Sequence, residues 1–446
     1  MIEPILYGLV AGTIAGILPG IGVFVTLLLS FPFLLDVDII QIILFYIALS
    51  STTQYIGSIP ATYLGVPGEN SSLPALYEGH TMFRKGQGAY AISGAAFGSL
   101  FGALFIIIFL AILAPYLSQV KYFLTTYNQA LLLFFTISVL ILSSKSKWYI
   151  ALSLAGVGLL LGSVGCYHDS CFLPPGFEDN PDLQIGIPLM PILSGIFVFP
   201  ILLKTYKPEE IVLSQDKPRL SDHFKMYCKN IVPSIRGTAI GTFLGALPGS
   251  GQTACANLSY RLEMLLNKNY VRGDYRSLVS AETANNASIL SGMLPLFVLG
   301  IPTGASEALL FEIAASKLFY FTESFTYDLF LYTIVPALII TNFCAFMIAW
   351  PFAKSVLFLQ KVPPKFINIF CFCVLLALNI YLGYHNWATV YYLILFLLCL
   401  PVGYLLRKQD TLPLIFTFIL SGHITSLSYS LPDLLSIDLH LLLSYF

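Results

Sequence analysis

GLVAGTIAGILPGIG, from Gly8 to Gly22, and GTAIGTFLGALPGSG, from Gly237 to Gly251, are two copies of one pattern. Gly8, Gly12, Gly16, Pro19 and Gly22 recur at one constant offset as Gly237, Gly241, Gly245, Pro248 and Gly251. A second pair follows each copy: YLGVPG at Tyr63 to Gly68 and VLGIPTG at Val298 to Gly304. It aligns Gly57 with Gly292, Pro60 with Pro295, Gly65 with Gly300 and Pro67 with Pro302, at an offset only slightly larger. The chain is therefore an internal duplication. Glycine at every fourth residue gives a helix one smooth face on which another backbone can approach closely. Leu-Pro-Gly-x-Gly then stops the helix, because proline removes a donor and glycine admits dihedrals that other residues avoid. A single such break reads as a kink. Breaks at matching places in two halves point instead to the binding site of a transporter.

Composition puts the whole chain in a bilayer. Hydrophobic residues make up 57% and charged residues 10%, against about 25% charged in soluble domains. Apolar runs of about 20 residues, enough to cross a hydrocarbon core, recur throughout. The longest polar intervals, near 167–183 and 204–236, are too short to bury a core of their own. A net charge of -1 gives no sign of a nucleic-acid partner. The start, MIEPILYG, has neither a basic n-region nor a small-residue cleavage site, so an uncleaved protein is expected. Cys255, Cys344, Cys371, Cys373 and Cys399 lie in apolar runs and read as packing thiols. Cys166 and Cys171 flank a short loop that a disulfide would close in an oxidising compartment. The alternative there is a metal held with His168 and Asp169, for which a second ligand cluster is missing.

Basic residues in short loops mark the cytoplasmic side. The first broken motif is flanked by Glu3, Asp36 and Asp38, whereas its duplicate is flanked by Lys225, Lys229, Arg236, Arg261, Lys268, Arg272 and Arg276. Each copy is thus expected to be a hairpin, the first opening outward and the second opening inward. The run over 39–83 should break at Pro60 and again at Val66-Pro67-Gly68. Segments near 88–115, 126–142, 148–165 and 185–203 should then alternate sides, and the second half repeats this course upside down. The expected fold is an all-α polytopic membrane protein of two inverted-topology repeats, 1–225 and 226–446, with broken or re-entrant helices meeting near the midplane.

Polar residues in the apolar runs cluster beside the breaks, and polar groups at membrane depth are either functional or tightly paired. Ser50, Ser51, Thr52, Thr53 and Gln54 follow the first hairpin, and Asn285 and Asn286 align with Ser50 and Ser51. Gln252, Thr253 and Asn257 follow the second break. Helix N-termini released at such breaks aim N–H groups and a positive dipole end at an anion. The candidate substrate site is therefore Gly20, Gly22, Ser50, Ser51, Thr52, Pro67, Gly68, Gly249, Ser250, Gly251, Gln252, Thr253, Asn285, Asn286, Pro302, Thr303 and Gly304. Glu69, Glu282, Glu307 and Glu312 are candidates for a coupling cation or proton, with ion pairs to Lys317 or Arg84 as the structural alternative. Interhelical hydrogen bonding is the alternative for the Ser and Thr residues.

Taken together, these residues resemble the large membrane subunit of the tripartite tricarboxylate transporters, the TctA family. The resemblance rests on RGTAIGTFLGALPGSG (Arg236 to Gly251) with Tyr260 and Glu263 beyond it, on AETANNASILSGMLPLFVLGIP (Ala281 to Pro302), and on YIGSIPATYLGVPGENSSLPALYEGH (Tyr55 to His80). It implies secondary uptake of a small di- or tricarboxylate driven by a Na+ or H+ gradient. A periplasmic binding protein and a small membrane subunit would be partners, and a homo-oligomer is compatible with it. No catalytic residue, metal site or organic cofactor is expected. The rival reading is a translocase or enzyme acting on a lipid-linked phosphate. It would want a basic pocket at membrane depth, and the apolar runs hold almost no Arg or Lys.

Overall fold

A computed structural model describes residues 2–421 apart from 19–20, 66–67, 121–125, 168–169, 174–180, 185, 204–219, 248–250, 320, 322–325, 351–352, 354–362 and 386–387. The described chain is helical except for one short antiparallel hairpin, β1 (Gly165–Tyr167) and β2 (Ser170–Phe172). Its register sets Cys166 opposite Cys171 along the backbone; whether a disulfide or a metal joins them concerns side chains outside the described part. Among the described residues, four helical stretches are long and apolar enough to cross a membrane: Ile39–Leu64, Gly88–Leu113, Tyr327–Ala349 and Thr389–Leu406.

In order, the first half runs through α1 (Ile2–Ile17), α2 (Gly22–Leu34), α3 (Ile39–Leu64) and a 3-10 turn at Asn70–Ser72. A π turn at Ala75–Gly79 leads into α4 (His80–Arg84), followed by α5 (Gly88–Val120), α6 (Thr126–Ser143) and α7 (Trp148–Ser163). After the hairpin come the short α8 (Pro181–Gln184), α9 (Leu189–Ile192) and α10 (Phe199–Leu202). The second half holds α11 (Leu220–Lys229), α12 (Ile231–Gly245), α13 (Gly251–Leu266), α14 (Tyr275–Leu299) and α15 (Ala305–Ser316). It continues with α16 (Tyr327–Ala349), α17 (Pro364–His385), α18 (Thr389–Leu406) and α19 (Leu412–Ser421). Two compact units result, one of Met1–Ser118 with Leu202–Cys371, the other of Gln119–Ile201 with Phe372–Phe446. Each draws on both halves of the chain.

The first unit is built on two glycine-faced helix pairs. A Cβ on Gly8 would lie 2.5 Å from the Phe45 carbonyl and from Ala48, and one on Gly12 would lie 2.7 Å from the Leu49 carbonyl and from Thr52. On Gly16 it would lie 2.7 Å from the Thr53 carbonyl and from Ile56. These contacts set α1 directly against α3. In the other pair Gly237 faces Ser280 and Thr283, Gly241 faces Ala284 and Ala287, and Gly245 faces Ser288. Those partners on α14 stand from their α3 counterparts at the offset that relates Gly65 to Gly300. The second unit uses the same device: Gly158 of α7 abuts the Leu414 carbonyl of α19, and Gly403 of α18 abuts the Gly195 carbonyl between α9 and α10.

Both polar helices begin and end alike. Asp38 caps α3 by accepting from the Ile40 N–H at 2.8 Å, and Asp274 caps α14 by accepting from the Ser277 N–H at 3.1 Å. Each helix closes on a left-handed glycine, Gly65 at φ 66° and Gly300 at φ 68°, the C-terminal device that only glycine adopts without strain. The expected break at Pro60 is absent, since α3 runs through it, as α14 runs through Pro295. A proline removes one donor and crowds one carbonyl, which bends a helix whose remaining bonds hold; the glycine five residues on is what ends it.

Candidate functional site

The helix pairs α1–α2 and α12–α13, and the ends of α3 and α14, lie within the first unit. In both pairs the second helix starts on a glycine at positive φ, Gly22 at 53° for α2 and Gly251 at 57° for α13. Gly68 and Thr303, three residues past Gly65 and Gly300, return to α3 and α14. A Cβ on Gly68 would collide with the Gly16 carbonyl and lie 3.0 Å from the Gly57 Cα. In the second half Thr303 donates to the Gly292 carbonyl at 3.0 Å, and a Cβ on Gly292 would also meet the Gly245 carbonyl at 3.3 Å. Position by position this is one local arrangement made twice.

One amide reaches polar groups of both halves at once. Gln54 of α3 donates from Nε2 to Glu69 Oε2 at 2.6 Å and to Gln252 Oε1, in the first turn of α13, at 2.8 Å. Its Oε1 accepts from Ser71 Oγ and from Asn285 Nδ2, both at 2.8 Å. The other oxygen of Glu69 takes the Val23 N–H at 2.8 Å, so this carboxylate sits at the N-terminus of α2. Burial of so many polar groups is favourable only when they satisfy one another. Some do not: the Asn285 Oδ1, Asn286 Oδ1, Thr52 Oγ1 and both Glu282 oxygens are buried without a hydrogen-bond partner.

The candidates separate accordingly. Gly22, Glu69, Gln252 and Asn285 meet around Gln54. Ser50 is buried with its hydroxyl unpartnered, as is that of Tyr46, and the buried Glu307 accepts from Ser306 Oγ at 3.1 Å. Asn286 lies elsewhere, its Nδ2 donating to Ser99 Oγ of α5 at 2.7 Å and to the Glu282 carbonyl at 3.2 Å. Thr52 and Gly68 pack against the glycine face of α1, and Thr303 braces its own turn. Ser51 and Pro302 are buried, while Gly251 is exposed and Thr253 and Gly304 are half-buried. Gly20, Pro67, Gly249 and Ser250 lie outside the described residues. Lys317 does not pair with an acid: it donates to the Leu35 carbonyl at 2.6 Å, at the end of α2. Ion pairs among the described residues join Glu263 to Arg236 and Arg276, and none includes Glu69, Glu282, Glu307 or Glu312.

Two residues were missing from the expected site. Gln54 is its hub, and the signal was a lone amide inside an apolar helix, the trait that singled out Asn285. Glu78 is fully buried and accepts from the Tyr260 and Tyr270 hydroxyls, at 2.7 and 2.5 Å, and from the Gly273 and Asp274 N–H groups, at 2.6 and 2.7 Å. Those four donors make it the anchor of the loop between α13 and α14. No group of three His, Cys, Asp or Glu side chains suited to a metal ion occurs among the described residues.

Comparison with known proteins bears on what such a site handles. The model of the tripartite tricarboxylate transporter TctA family matches residues 4–416. A protein of Agrobacterium vitis, described as an uncharacterized 52.8 kDa protein in the TAR-I ttuC' 3' region, is 29% identical over 320 residues. That match covers 68% of this chain and 61% of the relative's length. An uncharacterized protein of Methanocaldococcus jannaschii is 27% identical over 426 residues, 91% of this chain and 94% of its own. No solved structure matches the chain.

Proposed function

The chain belongs to the tripartite tricarboxylate transporter TctA family, and on that premise we propose that it is the permease subunit of a secondary active transporter. Its cargo is a small organic anion, a di- or tricarboxylate, carried across the plasma membrane in symport with Na+ or H+. A periplasmic binding protein and a small membrane subunit work beside it. The observation that carries this reading is the buried node at Gln54, where one amide reaches helix ends from both halves. Helix N-termini and side-chain amides at membrane depth are the groups that replace water around a carboxylate. Glu282, buried with neither oxygen partnered, together with Glu69 and Glu307, is where the coupling cation or proton would be held.

The two halves are inverted repeats with their junction near 225. Supporting this are the matching glycine contacts on α3 and α14, the matching left-handed glycines and the opposite charges flanking the two hairpins. The test is uptake of labelled citrate, succinate and tartrate into proteoliposomes under an imposed Na+ or proton gradient. Gradient-driven accumulation of at least one is expected; none, with the partner subunits supplied, would sink the proposal. Single cysteines replacing Asp36 and Lys229 should label from opposite sides, and labelling from one side would remove the inversion.

A further inference from the structure

The heads of α2 and α13 both open on a glycine at positive φ and differ in what stands beside it among the described residues. At Gly22 a Cβ would lie 2.6 Å from Glu69 Oε1, so the chain's own carboxylate fills the cradle at the head of α2. At Gly251, among the described residues, nothing comes within 4 Å of the same point, and the glycine is exposed. The sequence accounts for the difference. Gly304 stands where Glu69 stands in the first half, at the offset that aligns Gly65 with Gly300. The neighbouring contacts keep that alignment in space: Gly68 lies against Gly16 and Gly57 as Thr303 and Gly245 lie against Gly292. No described side chain accepts from the first N–H groups of α13, which a helix leaves without internal partners.

We propose that the head of α13 is the place where a carboxylate group of the transported anion binds, taking in the second half the position that Glu69 fills in the first. This rests on the transport reading above and fixes its polarity: one turn carries a resident anion, the other receives a visiting one. Two observations beyond the helix end carry it. The twin turn holds a carboxylate in this same structure, through a backbone N–H at 2.8 Å and a glycine at positive φ. The Asn285 Oδ1, fully buried, has no partner, while the same amide's Nδ2 is bonded to Gln54 and, through it, to Gln252 at the head of α13. An acceptor left open in the network that reaches Gln252 is completed by a ligand that brings a hydroxyl or a cation with its carboxylate. Gln54 spans both turns, so filling one bears on the amide that holds the other.

Gly304 has extended backbone, φ -147°, ψ 179°, which any residue adopts, and an added Cβ would lie 2.8 Å from the carboxylate end of the flexible Glu307 side chain, so an anion can be supplied there once Glu307 shifts. Citrate and succinate binding is measured by calorimetry on the purified full chain and on Gly304→Glu and Gly304→Gln, each checked for its melting transition. Glu and Gln share size and shape and differ in charge. Gly304→Glu should bind at least tenfold more weakly than Gly304→Gln; equal affinities would overturn the proposal. A parent chain that binds no carboxylate defeats the transport reading instead. Should Gly304→Glu fail to fold, a single cysteine at Thr253 in a cysteine-free background decides the matter. Saturating citrate should slow its reaction with an anionic thiol reagent at least fivefold, and an unchanged rate would place the carboxylate elsewhere.

Discussion

The α1–α2 and α12–α13 hairpins repeat one another down to single glycine contacts, yet they are finished differently. The first is sealed from within by Glu69, bonded to the Val23 N–H and to Gln54. In the second no described side chain stands against Gly251, and the pair is instead held at its far end, where Arg236 of α12 donates two hydrogen bonds to the buried Glu263 of α13. The residue aligned with Arg236 is Tyr7, whose hydroxyl bonds to Glu3 within α1. What the copies keep is backbone geometry, because a glycine facing a carbonyl admits no other side chain. What they let diverge are the few side chains around the turns, Glu69 against Gly304, Gln54 against Ile289, and Ser50 and Ser51 against Asn285 and Asn286. Symmetry therefore builds the scaffold, and departures from it build the site.

If the scaffold is shared, it should fail alike in both halves. Gly12→Val and Gly241→Val each drive a branched side chain into a facing backbone carbonyl, and each should cost at least about 3 kcal/mol, beyond what repacking relieves. Gly156→Ala, on a helix face with nothing within 4 Å, is the control and should fold normally. Recovery of monodisperse protein and its melting temperature in detergent measure this. A well-folded Gly241→Val beside an unfolded Gly12→Val would mean that only one half carries the packing.

The next effect probes an asymmetry. Glu78 of the first half clamps the loop after α13, whereas the residue aligned with it, Ile313, is a buried apolar one. Glu78→Ala leaves two hydroxyls and two N–H groups without their shared acceptor and should cost about 3 kcal/mol, read as a lowered melting temperature. Ile313→Val should cost about 1 kcal/mol. Equal losses would show that the clamp contributes packing and little else.

The turns themselves give a smaller and more telling difference. Alanine at Gly22 or at Gly251 meets the same strain at positive φ, about 1 kcal/mol. Only at Gly22 does the added methyl also push against Glu69, so Gly22→Ala should lose about 1 kcal/mol more than Gly251→Ala. The reverse order would mean that the α13 turn is the more tightly closed of the two.

How much of this was legible beforehand follows from what each residue type encodes. The glycine spacing, the ends of α1 and α12 and the matching glycine contacts of the two halves are backbone facts, and glycine and proline declare them in sequence. The continuous course of α3 through Pro60 was not legible, because a proline tolerated in a helix and one that ends it look the same until the following glycine's dihedral is known. The site was half legible. Asn285 and Gln252 stood out as amides in apolar surroundings, but Asn286 beside them turns toward Ser99 on α5, since adjacent helix residues point about 100° apart. That Glu69 would reach back to Val23 depends on a contact between distant parts of the chain, which spacing does not report.

The smallest expected effect tests whether the likeness extends to single hydrogen bonds. Asp38 and Asp274 cap α3 and α14, and removing such a cap costs about 1 kcal/mol. Asp38 accepts one bond, from the Ile40 N–H, and lies on the surface. Asp274 accepts the Ser277 N–H and also the Ser277 hydroxyl at 2.6 Å, while its own N–H is held by Glu78. Asp38→Ala should therefore lower stability by about 1 kcal/mol and Asp274→Ala by somewhat more. Asn caps nearly as well as Asp, so Asp38→Asn should recover most of its loss, leaving a salt-sensitive remainder of about 0.5 kcal/mol from the charge at the helix N-terminus. Asp274→Asn should recover less, because the Ser277 hydroxyl loses a charged acceptor. Melting curves of the four variants at low and high salt separate the contributions. If both Asn variants recover equally, the two caps are interchangeable and the halves differ only at the turns.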